Sequence, residues 1–169
     1  DTGAEPKRVY DWLQWLEKQL PFPVHRVMHK TGLLDNIMMT GRGRFVSVPF
    51  FTDSHNGGMT RRQCTLEFKV QPIDKKLREL MGLKPRQRAP KGIHVTQWIG
   101  ISLDEAHRMK PNRNSWAKSI WPLIDLRMTR ADCLKWMRAK GYPEPAKSSC
   151  TFCPYHDDAA WKSMKKFDP

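Results

Sequence analysis

A layered α/β domain is the fold class this sequence predicts, and three observations carry the prediction. Segments with apolar residues at helical spacing alternate with shorter segments of extended, apolar pattern, which favours layered packing over an all-α bundle. Pro and Gly punctuate the junctions between them. The 169 residues can bury one real core, so a single domain over 1–169 is expected.

Residues 6–20 read as a helix. Pro6 suits a first turn, and Val9, Trp12, Leu16 and Leu20 recur on one face until Pro21 and Pro23 stop it. Val24 to His29 alternates loosely, as a half-buried strand does. Thr31 to Met39 fits a short helix. The stretch 40–62 is rich in Gly, Ser, Thr, Asn and Asp, and reads as a flexible loop able to close over a ligand. Pro72 opens a helix with Ile73, Leu77 and Leu80 on one side, and Lys84 to Lys91 is a basic connector broken by Pro85 and Pro90. Ile93 to Ile101 is an apolar strand with Trp98 inside it. Ser102 and Glu105 have the spacing of a capping box. Pro122 to Ile124 reads as a short extended piece. Thr129 caps a helix to Lys140, with Asp132 three residues on and Gly141 as its stop. A last helix over Asp157 to Lys166 offers Ala160, Trp161, Met164 and Phe167 to a core. Residues 129–169 thus form a helical C-terminal part around a C-x-x-C. Trp12, Trp15, Trp116, Trp121, Trp136 and Trp161 are all expected in the core, as is Trp98.

The formal charge is +13, with basic runs at Arg42 to Arg44, Arg61 to Arg62, Lys84 to Lys91 and Arg108 to Arg113. Such a field favours a phosphorylated small molecule or a nucleic acid; the plainer reading is a basic solvated surface. No stretch approaches the ~18 apolar residues of a membrane span, so no membrane association is expected. Nor does the chain open on a secretory leader. Reduced thiols and a cytoplasmic location are expected, with a periplasmic disulfide protein as the alternative.

Cys64, Cys133, Cys150 and Cys153 are the four cysteines. The Cys150-x-x-Cys153 turn aims two sulfurs at one centre, and four thiolates close one tetrahedral metal or iron–sulfur site. Two disulfides, or unrelated thiols, are the other readings. Thiolates suit both a 4Fe–4S cluster and zinc, so the sequence leaves zinc as the alternative. His156, shortly after Cys153, is a substitute ligand, a hydrogen-bond donor behind the ligands, or a surface residue at a helix start.

Several segments together resemble one family. Asp1-Thr2-Gly3-Ala4-Glu5 resembles a D-T-G-x-E segment, and Cys64, Lys69 and Pro72 a C-x-x-x-x-K-x-x-P stretch. Gly100-Ile101-Ser102 with Glu105 and Arg108 resembles a G-I/R-x-x-x-E-x-x-R segment. Pro122 to Asp125, the Arg130 to Gly141 helix, and Gly141-Tyr142-Pro143 through Cys153 resemble the lower half and cysteine-bearing tail. By these motifs the chain resembles the phosphoadenosine phosphosulfate reductase-like branch of the adenine nucleotide α-hydrolase, or ATP pyrophosphatase, superfamily. The resemblance implies a Rossmann-like fold; the family's S-G-G-x-D-S phosphate loop is absent from these residues, so either the domain is incomplete at its N-terminus or this member has lost nucleotide chemistry. It also implies a 4Fe–4S cluster on the four cysteines. The implied activity is nucleotide-dependent sulfur transfer or nucleic-acid modification, with ATP or a sulfonucleotide as substrate. A further subunit supplying missing elements is a candidate partner. Single cysteines stand where cluster-bearing reductases carry a Cys-Cys pair, which turns the reading away from simple sulfate assimilation.

Arg108 lies past a strand end, where open α/β sheets bind ligands, and its planar fork suits phosphate or sulfate. A surface pair with Asp104 is the plain reading. Glu105 fits a clamp on Arg108 or a ribose. Arg61, Arg62 and Lys69 are candidate anion contacts, and Ser102 joins them as a nucleotide-binding residue. Without the phosphate loop, these residues alone are not expected to hydrolyse ATP. The alternative to the enzyme is a non-catalytic, metal-stapled basic module that binds nucleic acid or a partner subunit.

Overall fold

The computed structural model describes residues 1–38, 48–53, 55 and 57–167. Its elements are α1 (Lys7–Gln19), α2 (Leu33–Met38), a π-helical run (Thr65–Val70) leading into α3 (Gln71–Leu80), β1 (Val95–Trp98), a 3-10 segment (Leu103–Arg108), β2 (Ala117–Ile120), α4 (Pro122–Asp125), α5 (Arg130–Ala139) and α6 (Asp158–Phe167). Together they make a small mixed α/β protein. Its backbone divides into two compact units, Asp1–Lys76 with Pro145–Pro169, and Leu77–Glu144.

The first unit is built around Leu33, Val48 and Phe68, with Ile37, Cys64, Cys150 and Phe152 packed against them. Phe68 also meets the His29 ring edge-on at 4.9 Å between centroids. Burying Phe68 is why the helix starts well before Pro72. The π-helical winding of Thr65–Val70 turns Phe68 inward, and Pro72 is itself buried in the first turn of α3. Val24 to His29 makes no ladder, contrary to the expected strand. Arg26 instead forks the Glu17 carboxylate on α1 with bonds of 2.7 and 2.8 Å. The expected loop at 40–62 lies partly outside the described residues. Its described part is ordered into antiparallel pairing: Thr52 N–H donates to Gly58 O, Thr60 N–H donates to Phe50 O, each at 2.9 Å, and Phe51 bridges Met59.

In the second unit β1 and β2 pair in parallel with Val95 opposite Ala117 and Trp98 opposite Ile120. Parallel neighbours need a long crossover, here carrying the 3-10 segment. Asn112 fastens the crossover to the sheet, donating to Ser119 Oγ at 3.2 Å and to Gln97 Oε1. The sequence reading missed β2, because Ala117-Lys118-Ser119-Ile120 has little β-branched or aromatic content. Pro122 to Ile124 is the first turn of a helix rather than an extended piece, consistent with Pro at N1. α5 is as expected: Asp132 N–H donates to Thr129 Oγ1 and Thr129 N–H donates to Asp132 Oδ2, a full capping box. Gly141 follows at φ +69°, the left-handed stop that glycine adopts without penalty.

Burial corrects several expectations. Trp98 is 73% exposed, and Trp136 and Trp161 are exposed as well, leaving Trp116 as the fully buried tryptophan. Only four residues pair in β1, too few to cover both faces of Trp98. Ile73, Leu80 and Phe167 are also exposed, while Met164 carries the buried contact of α6.

Candidate functional site

The first unit brings together three sequence segments around one thiol. Asp1 to Glu5 enters as a turn, with Gly3 at φ +72° and its N–H donating to Asp1 Oδ1 at 2.8 Å. That geometry sends Thr2 inward, where it is 2% exposed. Leu33 N–H donates to Thr2 O at 3.3 Å, and Thr151 N–H donates to Ala4 O at 2.8 Å. The Thr2 hydroxyl lies 3.3 Å from Cys150 Sγ. Glu5 follows, its side chain only 8% exposed. Lys69 Nζ stands 3.4 Å from Glu5 Oε1, and Ser148 Oγ donates to Oε2 at 3.0 Å. A carboxylate this enclosed is expected to have such partners.

The C-x-x-C closes as a turn, with Cys153 N–H donating to Cys150 O at 3.0 Å. His156 Nε2 also reaches Cys150 O, at 2.8 Å. A carbonyl only accepts, so Nε2 carries the proton. His156 therefore supports the cysteine turn from behind. Cys64, at the start of the π-helical run, packs with Cys150 against the Leu33, Val48 and Phe68 core. Arg62 stacks over Tyr155, two residues beyond Cys153, at 5.1 Å from guanidinium to ring centroid. Arg61 is exposed.

Burial pushes the Cys150 thiol above its ordinary pKa. The Thr2 hydrogen bond and Lys69 pull it back, while Glu5 and Cys153 push it up. At neutral pH Cys150 is accordingly a protonated thiol with an ammonium and a carboxylate in electrostatic reach.

Ser102, Glu105, Arg108 and Cys133 belong to the second unit. Arg108 Nη1 donates to Glu105 Oε1 at 2.5 Å, so the guanidinium pairs three residues back rather than with Asp104. Ser102 is buried but makes no side-chain cap; the expected capping box with Glu105 is replaced by a different linkage. Asp104 accepts from Arg130 N–H at 2.9 Å. That bond and the Ser102 hydroxyl hold the Asp104 carboxyl below its usual range. Cys133 lies half-buried on α5, and all four cysteines are free thiols.

Thiolate sulfur is the right donor for either a 4Fe–4S cluster or zinc. Among the described residues, however, no group of three or more His, Cys, Asp or Glu side chains is placed to hold a metal ion. Thr2, Glu5, Ser148 and Tyr155 were not singled out from the sequence as site residues. The D-T-G-x-E pattern flagged the first two, whereas Ser148 and Tyr155 carried no signal beyond standing beside the C-x-x-C.

No protein-family model matches this chain, and no curated protein or solved structure matches it.

Proposed function

We propose that this chain is the thiol-bearing part of a Rossmann-like, phosphoadenosine phosphosulfate reductase-like protein that acts in nucleotide-dependent sulfur transfer or nucleic-acid modification. One observation supports the reading above the others. Three segments far apart in sequence meet at Cys150, with Thr2 Oγ1 at 3.3 Å and the Lys69–Glu5 pair beside it. A thiol that is packed, hydrogen-bonded and flanked by one cation suits controlled activation, because the thiolate rather than the thiol is the nucleophile. Thr2 donates to the developing thiolate, Lys69 offsets its charge, and Glu5 restrains Lys69 until a substrate competes for it. His156 fixes the turn that presents the sulfur.

The nucleotide step needs backbone N–H groups at a strand-to-helix turn, and the S-G-G-x-D-S loop that supplies them in the family is absent from this sequence. The reaction is therefore proposed for the chain together with whatever element provides them. The test is a paired assay on the anaerobically purified intact protein with a dithiol reductant: sulfite released from phosphoadenosine phosphosulfate, and pyrophosphate released from ATP. Turnover in one assay that falls to the blank in Cys150→Ser is expected. Absence of both in a preparation that includes the phosphate-binding element refutes the enzyme. Iron and labile sulfide, measured on the same sample, report on the cluster, and zinc on its alternative.

A further inference from the structure

The two cysteines of the C-x-x-C stand at the ends of one tight turn. Cys153 N–H donates to Cys150 O at 3.0 Å, and the main-chain N–H of His156 donates to Cys153 O at 3.2 Å, so one such turn runs into the next. Three further contacts fasten the first turn. His156 Nε2 donates to the same Cys150 carbonyl at 2.8 Å, Thr151 N–H donates to Ala4 O at 2.8 Å, and Phe152 packs against the Leu33, Val48 and Phe68 core. Pro154 adds a fixed φ directly after Cys153.

A turn of this kind holds its first and fourth Cα atoms within about 7 Å. A disulfide spans about 4.4–6.8 Å between Cα atoms, so this backbone already sets the pair at a separation that side-chain rotation can bridge. Both thiols are free and half-buried, and the two groups lie in electrostatic reach of one another. They differ in what holds them. Cys150 lies against the core and 3.3 Å from Thr2 Oγ1, whereas Cys153 is not packed into that core.

We infer that Cys150 and Cys153 form a redox-active dithiol that reduces disulfides by exchange, with Cys153 as the entering sulfur and Cys150 as the resolving one. The Cys153 thiolate attacks one sulfur of a disulfide RSSR and breaks its S–S bond. A mixed disulfide forms, and the first RS⁻ leaves and takes up a proton equivalent to the one Cys153 lost. Cys150 then gives its proton to solvent and attacks Cys153 Sγ, closing the Cys150–Cys153 bond and releasing the second RSH. The disulfide gains two electrons and two protons, and the protein loses them. Neither a nucleotide nor the phosphate loop takes part, and the readout is a mass rather than turnover, so failure here leaves the sulfur-transfer reading as it stands.

The test is mass spectrometry of the intact, reduced protein after exposure to oxidised glutathione, with free thiols then blocked and the chain cut by trypsin. Cleavage after Lys147 and Lys162 puts Cys150 and Cys153 in one peptide, separate from those of Cys64 and Cys133. That peptide is expected to be lighter by two hydrogen atoms and blocked at neither cysteine. In Cys150→Ser, one glutathione is expected to stay on Cys153, because no thiol is left in the turn to resolve it. A stable mixed disulfide in the unsubstituted chain, a bond from Cys64 or Cys133 to this peptide, or an unmodified Cys153 in Cys150→Ser overturns the inference. So does a pair left untouched by oxidised glutathione, whether free or held by iron or zinc measured on the same sample.

Discussion

The charge balance at Cys150 is set by residues from three segments, and it makes a signed prediction. Glu5 raises the thiol's pKa and Lys69 lowers it. Glu5→Gln removes the anion and leaves the ammonium, so the pKa should fall and alkylation at pH 7 should quicken. Lys69→Met should do the opposite, and Thr2→Val, which loses the hydrogen bond at 3.3 Å, should shift it the same way as Lys69→Met. Peptide-resolved alkylation across pH separates Cys150 from Cys64, Cys133 and Cys153. If Glu5→Gln slowed Cys150, Glu5 would not be the restraining group. Linkage gives a second readout. The folded pKa lies above the ordinary thiol value, so Cys150 contributes stability that is fully present below that value and is lost as pH rises through the folded pKa. In Glu5→Gln the folded pKa falls, so that alkaline loss is smaller and is complete at lower pH.

At the scale of elements, α5 is the best-determined helix because its signals are local. The Thr129–Asp132 box satisfies orphan N–H groups reciprocally. Thr129→Ala should cost about 1 kcal/mol, read as a lower denaturant midpoint with unchanged slope. Asp132 is held below the usual carboxylate range, chiefly by the Thr129 side chain. Its contribution is therefore present above the ordinary carboxylate pKa and lost as pH falls through the depressed one. In Thr129→Ala that acid-side loss should shrink, and an unaltered acid profile would assign the depression elsewhere. The same locality explains what was legible in the sequence. The helices α1, α2, α5 and α6 stand close to where spacing and punctuation put them. β2 and the π-helical start at Thr65 depend on partners distant in sequence, Val95 to Trp98 for one and the Leu33 core for the other, and no local pattern encodes a partner. The site divides likewise. Cys64, Lys69, Cys150 and Cys153 were legible from residue type and order. The burial of Thr2 and the caging of Glu5 between Lys69 and Ser148 belong to packing.

Across the whole molecule the excess of positive charge exceeds what the thiol site can use. Among the described residues, no helix is long and apolar enough to cross a membrane. A formal charge of +13 attracts polyanions. Lys84, Arg86, Arg88 and Lys91 are all exposed in one short connector. Arg86 takes φ +63° there, an unusual backbone for a non-glycine residue. If the connector neutralises phosphates, binding of single-stranded nucleic acid should weaken linearly with the logarithm of salt. Changing those four residues to Gln should then reduce the slope by about three, near 0.7 for each released counterion. A merely basic surface behaves differently: it has the same net charge but no localised contact, so the four changes would lower affinity slightly and leave the slope almost untouched. Fluorescence anisotropy at several salt concentrations distinguishes the two. A slope unchanged by all four substitutions would remove this connector from any nucleic-acid interface and leave the charge to the rest of the surface.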